Sequence, residues 1–342
     1  MESRFVPNER NIGRRSPPGT SDGVFMITQL EQCLWPRGFA RDVWMIVDSA
    51  RDRRIFSLLL ECFYSSLSSL FAMPLAPQLE SVAPYLVPLD YDDKKTRKFL
   101  GNAWGNNWGV FLRCDTSQDR LRRHLRSFVS VRDPRGQRLL FRYYDPRILR
   151  TYLPTCNKGE LEYVFGPIEC FWTESTNPDH LLEVGLERGT LVRRTISLAA
   201  GVTRAAPLPL PSDEPDRISS DRPFSSLIIR QAQMDVFSQV EVQKFEDWLV
   251  AHLKQFFPTQ SQALSETPLR EMIRHGIRRA ANHGIKTERD VCKFIDLMIV
   301  FGRDFDTNGR YPWAHEILSR EKEPFNKIQT LHAAAVTYLG RR

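Results

Sequence analysis

The pattern of hydrophobic positions divides the chain into a first part rich in predicted strands and a last part that is helical. Short apolar or alternating runs predict strands at 24–30, 44–47, 68–71, 82–89, 109–114, 181–184 and 190–198, and an extended segment at 162–172. Apolar residues at helical spacing predict helices at 55–63 and 121–128, the latter capped by Asp115 or Thr116. Pro84 and Pro88 place the run 82–89 at a sheet edge or in a loop.

A hairpin that turns directly into a helix is predicted between residues 128 and 152. The runs 128–131 and 139–144 flank Asp133-Pro134-Arg135-Gly136, which suits a type I turn closed by glycine. In the second strand, Phe141 and Tyr143 would face a core, while Arg142 and Tyr144 would face outward.

The strand is followed at once by a helix start. Asp145 is a good N-cap, and Pro146 fits the first helical position because its missing N–H is not needed there. Leu149 supplies part of the apolar face, and Arg147 and Arg150 are then expected at the surface.

The composition changes between residues 205 and 223, where five prolines and several acidic residues predict a linker or a long surface loop. Helical periodicity follows, with helices over 234–256, from Thr267-Pro268 to Gly284, from Thr287, and from Pro312 and Phe325.

These patterns predict four regions and a fold class. The regions are a flexible polar tail at 1–22, an adaptor lobe at 23–204, the linker or loop at 205–223, and a helical lobe at 224–342. The fold class is an α+β or α/β N-terminal lobe with a mixed central sheet, followed by an all-helical C-terminal lobe.

Composition excludes several classes of protein. The 342 residues are 42% hydrophobic, and no apolar run approaches the length of a membrane span. The N-terminal region lacks the apolar core of a secretory signal, so a cytoplasmic location is expected. The six cysteines form no C-x-x-C pair and indicate neither a zinc site nor a disulfide framework.

The net charge of +7 comes from a single stretch. Between Arg120 and Arg150 there are ten arginines and two aspartates, whereas the rest of the chain is close to neutral. Arginine favours directed contacts with carboxylates and phosphates, so the stretch fits an interface with an acidic partner. A solvated helix face with a hairpin explains the same charges equally well. The candidate protein-binding residues are Arg122, Arg126, Arg142, Tyr144, Asp145 and Arg147.

Catalytic patterns are incomplete wherever they occur. Asp48 ends a predicted strand, where α/β enzymes place a catalytic carboxylate, but Ala50 stands where a phosphatase of the haloacid-dehalogenase type needs a second aspartate. Capping the next helix, or tying its loop, is the better explanation for Asp48.

Two further catalytic motifs are also incomplete. His315-Glu316 begins a zinc-protease motif, but Ser319 stands in place of the second histidine. Gly19–Gly23 matches the G-x-S-x-G pattern of a nucleophile elbow, but the sequence predicts neither the strand before it nor the helix after it that this motif requires. We therefore expect a binding protein with no catalytic residues, no cofactor and no metal.

Seven short stretches occur in an order that resembles one known family. They are Trp44–Ala50, Ser69-Leu70-Phe71, Ala83-Pro84-Tyr85-Leu86-Val87, Trp108-Gly109-Val110, His124-Leu125-Arg126, Leu140–Arg147 with its Phe-Arg-Tyr-Tyr-Asp-Pro-Arg run, and Phe165-Gly166-Pro167-Ile168. This order resembles the bacterial type VI secretion adaptor-chaperones, catalogued as domain of unknown function 4123. The resemblance runs from about Val43 to Trp172, and residues 277–306 also resemble the second lobe of such proteins.

The resemblance implies a non-enzymatic cytoplasmic chaperone. Such proteins hold a toxin effector and help load it onto the valine-glycine-repeat spike protein of the secretion machine, and neither a membrane nor a small-molecule substrate is implied. The family supplies no catalytic residues, and no cargo-contacting residue is assigned by the match.

The alternative is a nucleic-acid-binding protein or nuclease that uses the Arg120–Arg150 region, with Tyr143 and Tyr144 as stacking groups. The chain lacks the Glu-x-Lys core of restriction-type nucleases. A hydrolase using Asp48 is a third reading, and no motif supports it.

Overall fold

The computed structural model describes residues 21–36, 42–177, 179–199, 203–208, 227–262, 264–321 and 323–340. The chain forms two compact units, Met1–Phe237 and Ser238–Arg342, and the division falls within a long helix. Most of the predicted tail, 1–20, and most of the predicted linker, 209–223, lie outside the described residues. The linker prediction is wrong for residues 205–207, which form part of a strand.

The described residues of the first unit contain ten strands. They are β1 Val43–Asp48, β2 Ser68–Ser69, β3 Pro84–Leu89, β4 Gly109–Arg113, β5 Ser130–Arg132, β6 Arg138–Leu140, β7 Cys170–Glu174, β8 His180–Glu187, β9 Thr190–Ser197 and β10 Thr203–Pro207. Eight of them form one sheet in the order β10-β9-β8-β7-β4-β1-β3-β2, and β5 and β6 form a separate hairpin. All neighbouring strands in both sheets are antiparallel, and an isolated bridge between Arg132 and Ile228 is parallel.

Helices cover both faces of the large sheet. They are α1 Ser21–Leu34, α2 Arg53–Phe63, α3 Pro77–Glu80, α4 Lys94–Ala103, α5 Gln118–Arg126, α6 Pro146–Tyr152 and α7 Lys158–Phe165, with short 3₁₀ helices at Ser49–Arg51 and Leu153–Thr155. Side chains alternate along β1, so Trp44 and Ile46 pack with α5, α6 and α7, while Met45 and Val47 pack with α1, α2 and α4. The first unit is therefore a three-layer α/β/α structure with two apolar cores.

The second unit is all helical. Its helices are α8 Gln231–Phe256, which begins in the first unit, α9 Pro258–Gln262, α10 Glu266–Asn282, α11 Glu288–Phe301, α12 Pro312–Arg320 and α13 Pro324–Gly340. The predicted helix from Thr287 is α11, and Thr287 caps it by accepting a hydrogen bond from the Asp290 N–H. The predicted fold class, a sheet-containing lobe followed by a helical lobe, is confirmed.

Two predicted extended segments are helices instead. Residues 24–30 belong to α1, where Leu30 and Leu34 are buried four residues apart, so the apolar run is one face of a helix. Residues 162–165 belong to α7, which begins at an Asn157–Glu160 capping box that the strand prediction overlooked.

Two local predictions of position are also wrong. Strand β3 is not at the edge, because β2 pairs with it. Strand β2 is only two residues long and pairs with Tyr85 and Leu86, so this pairing does not require an N–H group from Pro84 or Pro88. The N-cap of α5 is Ser117 rather than Asp115 or Thr116.

A close approach of β1 and β4 requires glycine at position 109. A side chain there would overlap the Ile46 carbonyl oxygen, and both strands lie in the middle of the sheet. We predict that Gly109→Ala lowers the free energy of unfolding by about 3 kcal/mol or more, measured by urea denaturation. Gly185→Ala in β8 is the matched control, because its nearest neighbour would be 3.6 Å away, and it should change stability by less than about 1 kcal/mol. Equal effects of the two substitutions would contradict this packing.

Candidate functional site

Three of the six predicted binding residues, Arg142, Asp145 and Arg147, meet at one end of the large sheet. Adjacent strands β1, β4 and β7 alternate in direction, so the end of β1, the start of β4 and the end of β7 share one edge. The Asp48 N–H donates to the Trp108 carbonyl at 2.8 Å, and the Asn107 N–H donates to Glu174 Oε1 at 3.0 Å. The Phe141–Arg150 segment lies against this edge. We call the following residues the sheet-end cluster: Asp48, Asn107, Arg142, Asp145, Arg147, Arg150 and Glu174.

Asp48 and Arg142 form the ion pair that joins the segment to the sheet. The Arg142 guanidinium donates to Asp48 Oδ2, and Asp48 Oδ1 accepts from the Ala50 N–H at 3.2 Å. The Asp48 side chain is only 1% exposed, against 38% for Arg142. Burial raises the pKa of the Asp48 carboxyl, and the charge and hydrogen bond of Arg142 offset only part of that rise. Asp48 caps the 3₁₀ helix Ser49–Arg51 in the loop, whereas the N-cap of α2, the helix that it was predicted to cap, is Asp52.

Asp145 holds the start of α6 in the predicted way. Its Oδ1 accepts from the Arg147 backbone N–H at 3.0 Å, and the Arg147 guanidinium donates to both carboxylate oxygens, at 3.0 and 2.7 Å. Burial alone would raise the pKa of Asp145, but the hydrogen bonds and charge of Arg147, with the charge of Arg51, hold it below its ordinary value.

Arg150 closes the cluster from α6 by donating to the Glu174 backbone carbonyl at the end of β7. Four buried polar atoms near these elements have no hydrogen-bond partner within the described part of the chain: Ser49 Oγ, Arg51 Nε, Asn107 Oδ1 and Thr173 Oγ1. Arg147 and Arg150 were expected to be free at the surface, and that expectation is wrong because both are engaged within the chain.

Tyr144 does not face outward as the strand alternation predicted. Its side chain is 2% exposed and that of Tyr143 is 0%, since the chain leaves the strand after Leu140 and turns inward. The Tyr143 hydroxyl donates to the Leu125 carbonyl at 2.8 Å, which ties this turn to α5.

Arg122 and Arg126 lie on α5, apart from the sheet-end cluster. Arg122 Nε donates to the Ser69 carbonyl at 2.8 Å, which ties α5 to β2. Arg126 lines a shallow depression with Arg123 and Ser127. Neither they nor Arg120, Arg123, Arg135 and Arg138 form an ion pair with any carboxylate that the structure describes. These guanidinium groups are the part of the basic stretch that a partner could neutralise.

The chemistry of the sheet-end cluster favours charge pairing. Asp48 and Asp145 each already accept from an arginine, so a metal cation there would have to displace or oppose a guanidinium. Metal-ligand types gather instead in the second unit, at His252, Cys292 and Asp296.

Several cluster members were absent from the predicted site. Asn107 and Glu174 come from separate parts of the sequence, and Arg142 lies 94 residues from its partner Asp48. The one available signal was Asp48 at the end of an apolar strand, which marked the correct sheet edge.

The fold and cluster define an α/β/α domain whose most distinctive sequence run is joined to the sheet by the Asp48–Arg142 ion pair. Residues 43–163, about a third of the chain, match the family model described as Domain of unknown function (DUF4123), so this stretch carries the domain that the sequence motifs indicated. The helical unit lies outside the match. No curated protein and no solved structure matches the chain. Within the described residues, no helix has the length and apolar composition needed to cross a bilayer.

Removing Arg142 should destabilise the first unit by leaving Asp48 buried and unpaired. For Arg142→Met we predict a loss of about 2 kcal/mol at pH 7, less than for a fully buried pair because solvent screens Arg142. The pKa of Asp48 is already raised, so its ionisation disfavours the folded state, and the loss should shrink at acidic pH where Asp48 is protonated. Urea denaturation at several pH values measures this. The double variant with Asp48→Asn should be more stable than Arg142→Met alone, and equal stability would contradict the pairing.

Asp145→Ala should cost about 2 kcal/mol at pH 7, because it removes both the helix cap and the partner of Arg147. The lowered pKa of Asp145 means that its ionised form stabilises the fold above the unfolded pKa of about 3.9. That stability is lost as the pH falls through the folded pKa, so the difference from wild type should narrow below about pH 4. Asp145→Asn keeps a capping side chain without the charge, and it should lose less than Asp145→Ala at pH 7.

Proposed function

We propose that this protein is a non-enzymatic adaptor-chaperone of a bacterial type VI secretion system. It binds a toxin effector in the cytoplasm and helps load it onto the valine-glycine-repeat spike protein. The observation that carries the proposal is the match of residues 43–163 to the DUF4123 family model, together with the Phe-Arg-Tyr-Tyr-Asp-Pro-Arg run.

The surface of α5 and of the β5–β6 hairpin suits the proposed binding role. Arg120 and Arg123 on α5, and Arg135 and Arg138 in the hairpin, are exposed and have no carboxylate partner in the described ranges. Exposed arginines provide both contact area and directed hydrogen bonds at protein interfaces. We infer that they meet an acidic surface of the effector or of the spike.

These contacts make Arg142 and Arg147 poor candidates for binding a partner. Arg142 and Arg147 pair with buried aspartates, so reversing their charge would disturb the fold and the binding surface together. The role of Arg122 and Arg126 in binding remains a prediction, and Arg126 is the better candidate because Arg122 is bound to Ser69.

The nucleic-acid alternative loses the stacking groups that it needed. Tyr143 and Tyr144 are buried in the first unit, so neither ring is available to an unpaired base. Only the positive charge remains in its favour, and that charge suits an acidic protein equally well.

A matched pair of charge reversals tests the proposal. Arg120→Glu with Arg123→Glu changes two exposed arginines of α5, and Lys94→Glu with Lys95→Glu changes two exposed lysines of α4, on the other side of the sheet. We expect the first pair to weaken binding to the effector or the spike by about tenfold or more, and the second to leave it unchanged. The probes are the toxin and spike proteins encoded by the flanking genes, and binding is measured by calorimetry at constant salt.

The outcomes separate the proposed function from its proposed surface. If the wild-type chain binds neither the flanking toxin nor the spike, the adaptor function is wrong. If it binds them and the arginine variant binds equally well, the α5 surface is not the interface. Thermal unfolding of both variants should match wild type, since these side chains are exposed.

A further inference from the structure

Three side chains in the second unit bring together nitrogen, sulfur and oxygen donors. His252 lies on α8, and Cys292 and Asp296 lie one turn apart on α11. One donor atom from each lies within 4.8 Å of the others. The His252 Nε2 to Asp296 Oδ1 distance is 2.9 Å, and the Cys292 Sγ to Asp296 Oδ2 distance is 3.9 Å.

We propose that His252, Cys292 and Asp296 bind a zinc ion. Imidazole, thiolate and carboxylate are the donors that zinc takes in proteins, and three protein ligands leave one tetrahedral position for water. The His252 and Asp296 side chains are 16% and 26% exposed, so an ion and a water molecule can reach the donors.

The charges also fit a divalent ion. Zinc bound to one thiolate, one carboxylate and one neutral imidazole forms a neutral unit, which reduces the cost of placing it in a partly buried site. Binding releases the thiol proton of Cys292 to solvent, and the neutral His252 ring offers Nε2 to the ion with its single proton on Nδ1. His332 on α13 and Lys293 on α11 also act electrostatically on these ligands, so the site is not purely acidic.

The surroundings hold the imidazole in place. The His252 ring stacks on Trp248, with centroids 5.2 Å apart and planes inclined by 19°, and it also contacts Phe256. An ion bound here would link α8 to α11 within the helical unit. The cysteine spacing gave no sign of this site, because its ligands share no local motif and come from two helices.

Cobalt substitution in the full-length, tag-free protein provides the test. After metal is removed with a chelator, Co²⁺ should bind at one equivalent and give the visible bands of a tetrahedral site with a thiolate-to-cobalt charge-transfer band. Zinc should displace the cobalt and change the fluorescence of Trp248, which stacks on a ligand. Zinc should also raise the melting temperature of the wild type.

Single variants assign the ligands. Cys292→Ser should abolish the charge-transfer band, and His252→Gln and Asp296→Asn should each weaken zinc binding by more than about 100-fold, since even outer-shell partners contribute about 10–100-fold. Cys33→Ser is the control, because Cys33 lies on α1 in the first unit, and it should keep the full spectrum.

Three results would overturn the proposal: no stoichiometric binding of cobalt or zinc by the wild type, a charge-transfer band that survives Cys292→Ser, or unchanged affinity in Asp296→Asn. If Cys292→Ser does not fold, the wild-type spectrum and the Asp296→Asn affinity still decide the question. The adaptor function does not depend on this outcome.

Discussion

The buried Asp48 carboxylate is the constraint around which the first unit is arranged. It ends a central strand with almost no access to solvent, so it needs a positive partner inside the protein. Arg142 supplies that partner only because the chain turns inward after β6 and immediately begins α6. This turn is itself held by the Asp145 cap and by the hydrogen bond of Tyr143 to α5.

Close contacts also bring together the stretches that resemble the family, although these stretches are far apart in sequence. Gly109 lets β4 approach β1, and Gly166 lies so close to His124 that a side chain there would overlap its ring. His124 Nε2 lies 3.0 Å from the Val164 carbonyl oxygen, which fixes α5 against α7. The most recognisable residues of the domain therefore maintain its architecture, and the partner binding that we propose would use exposed side chains that the fold does not require.

The parts that sequence reasoning predicted well are those governed by local chemistry. The Asp145 cap, the Pro146 helix start, the turn at Asp133 and the helices of the second unit follow from neighbouring residues alone. The errors arose where tertiary contacts decide. An apolar run such as 24–30 is compatible with a strand or a helix until the residues that pack against it are known. Tyr144 was wrongly predicted to face outward because the strand ends four residues before it.

The candidate site shows the same limit more sharply. A list of arginines cannot distinguish guanidinium groups paired with buried carboxylates from those that face solvent, since the partners lie far apart in sequence. Arg142 and Arg120 belong to the same basic stretch, yet Arg142 forms an internal ion pair and Arg120 is exposed.

The number of donors on each buried carboxylate determines its electrostatic balance. Asp306 receives hydrogen bonds from Arg279 and His283, and Asp145 from the side chain and N–H of Arg147; both have lowered pKa values despite burial. Asp48 accepts one hydrogen bond from the Arg142 guanidinium, where Asp145 accepts two from Arg147, and one from the Ala50 N–H; burial and the nearby charge of Asp145 leave its pKa raised. The burial of the Asp48 carboxylate is therefore less fully compensated by hydrogen bonds and positive charges than that of Asp145 or Asp306. Losing Arg142 leaves it with a single N–H, whereas Asp145 without the Arg147 side chain keeps a backbone donor and the charge of Arg51. For this reason, loss of the Arg142 side chain should destabilise the sheet edge more than loss of the Arg147 side chain from the helix cap beside it.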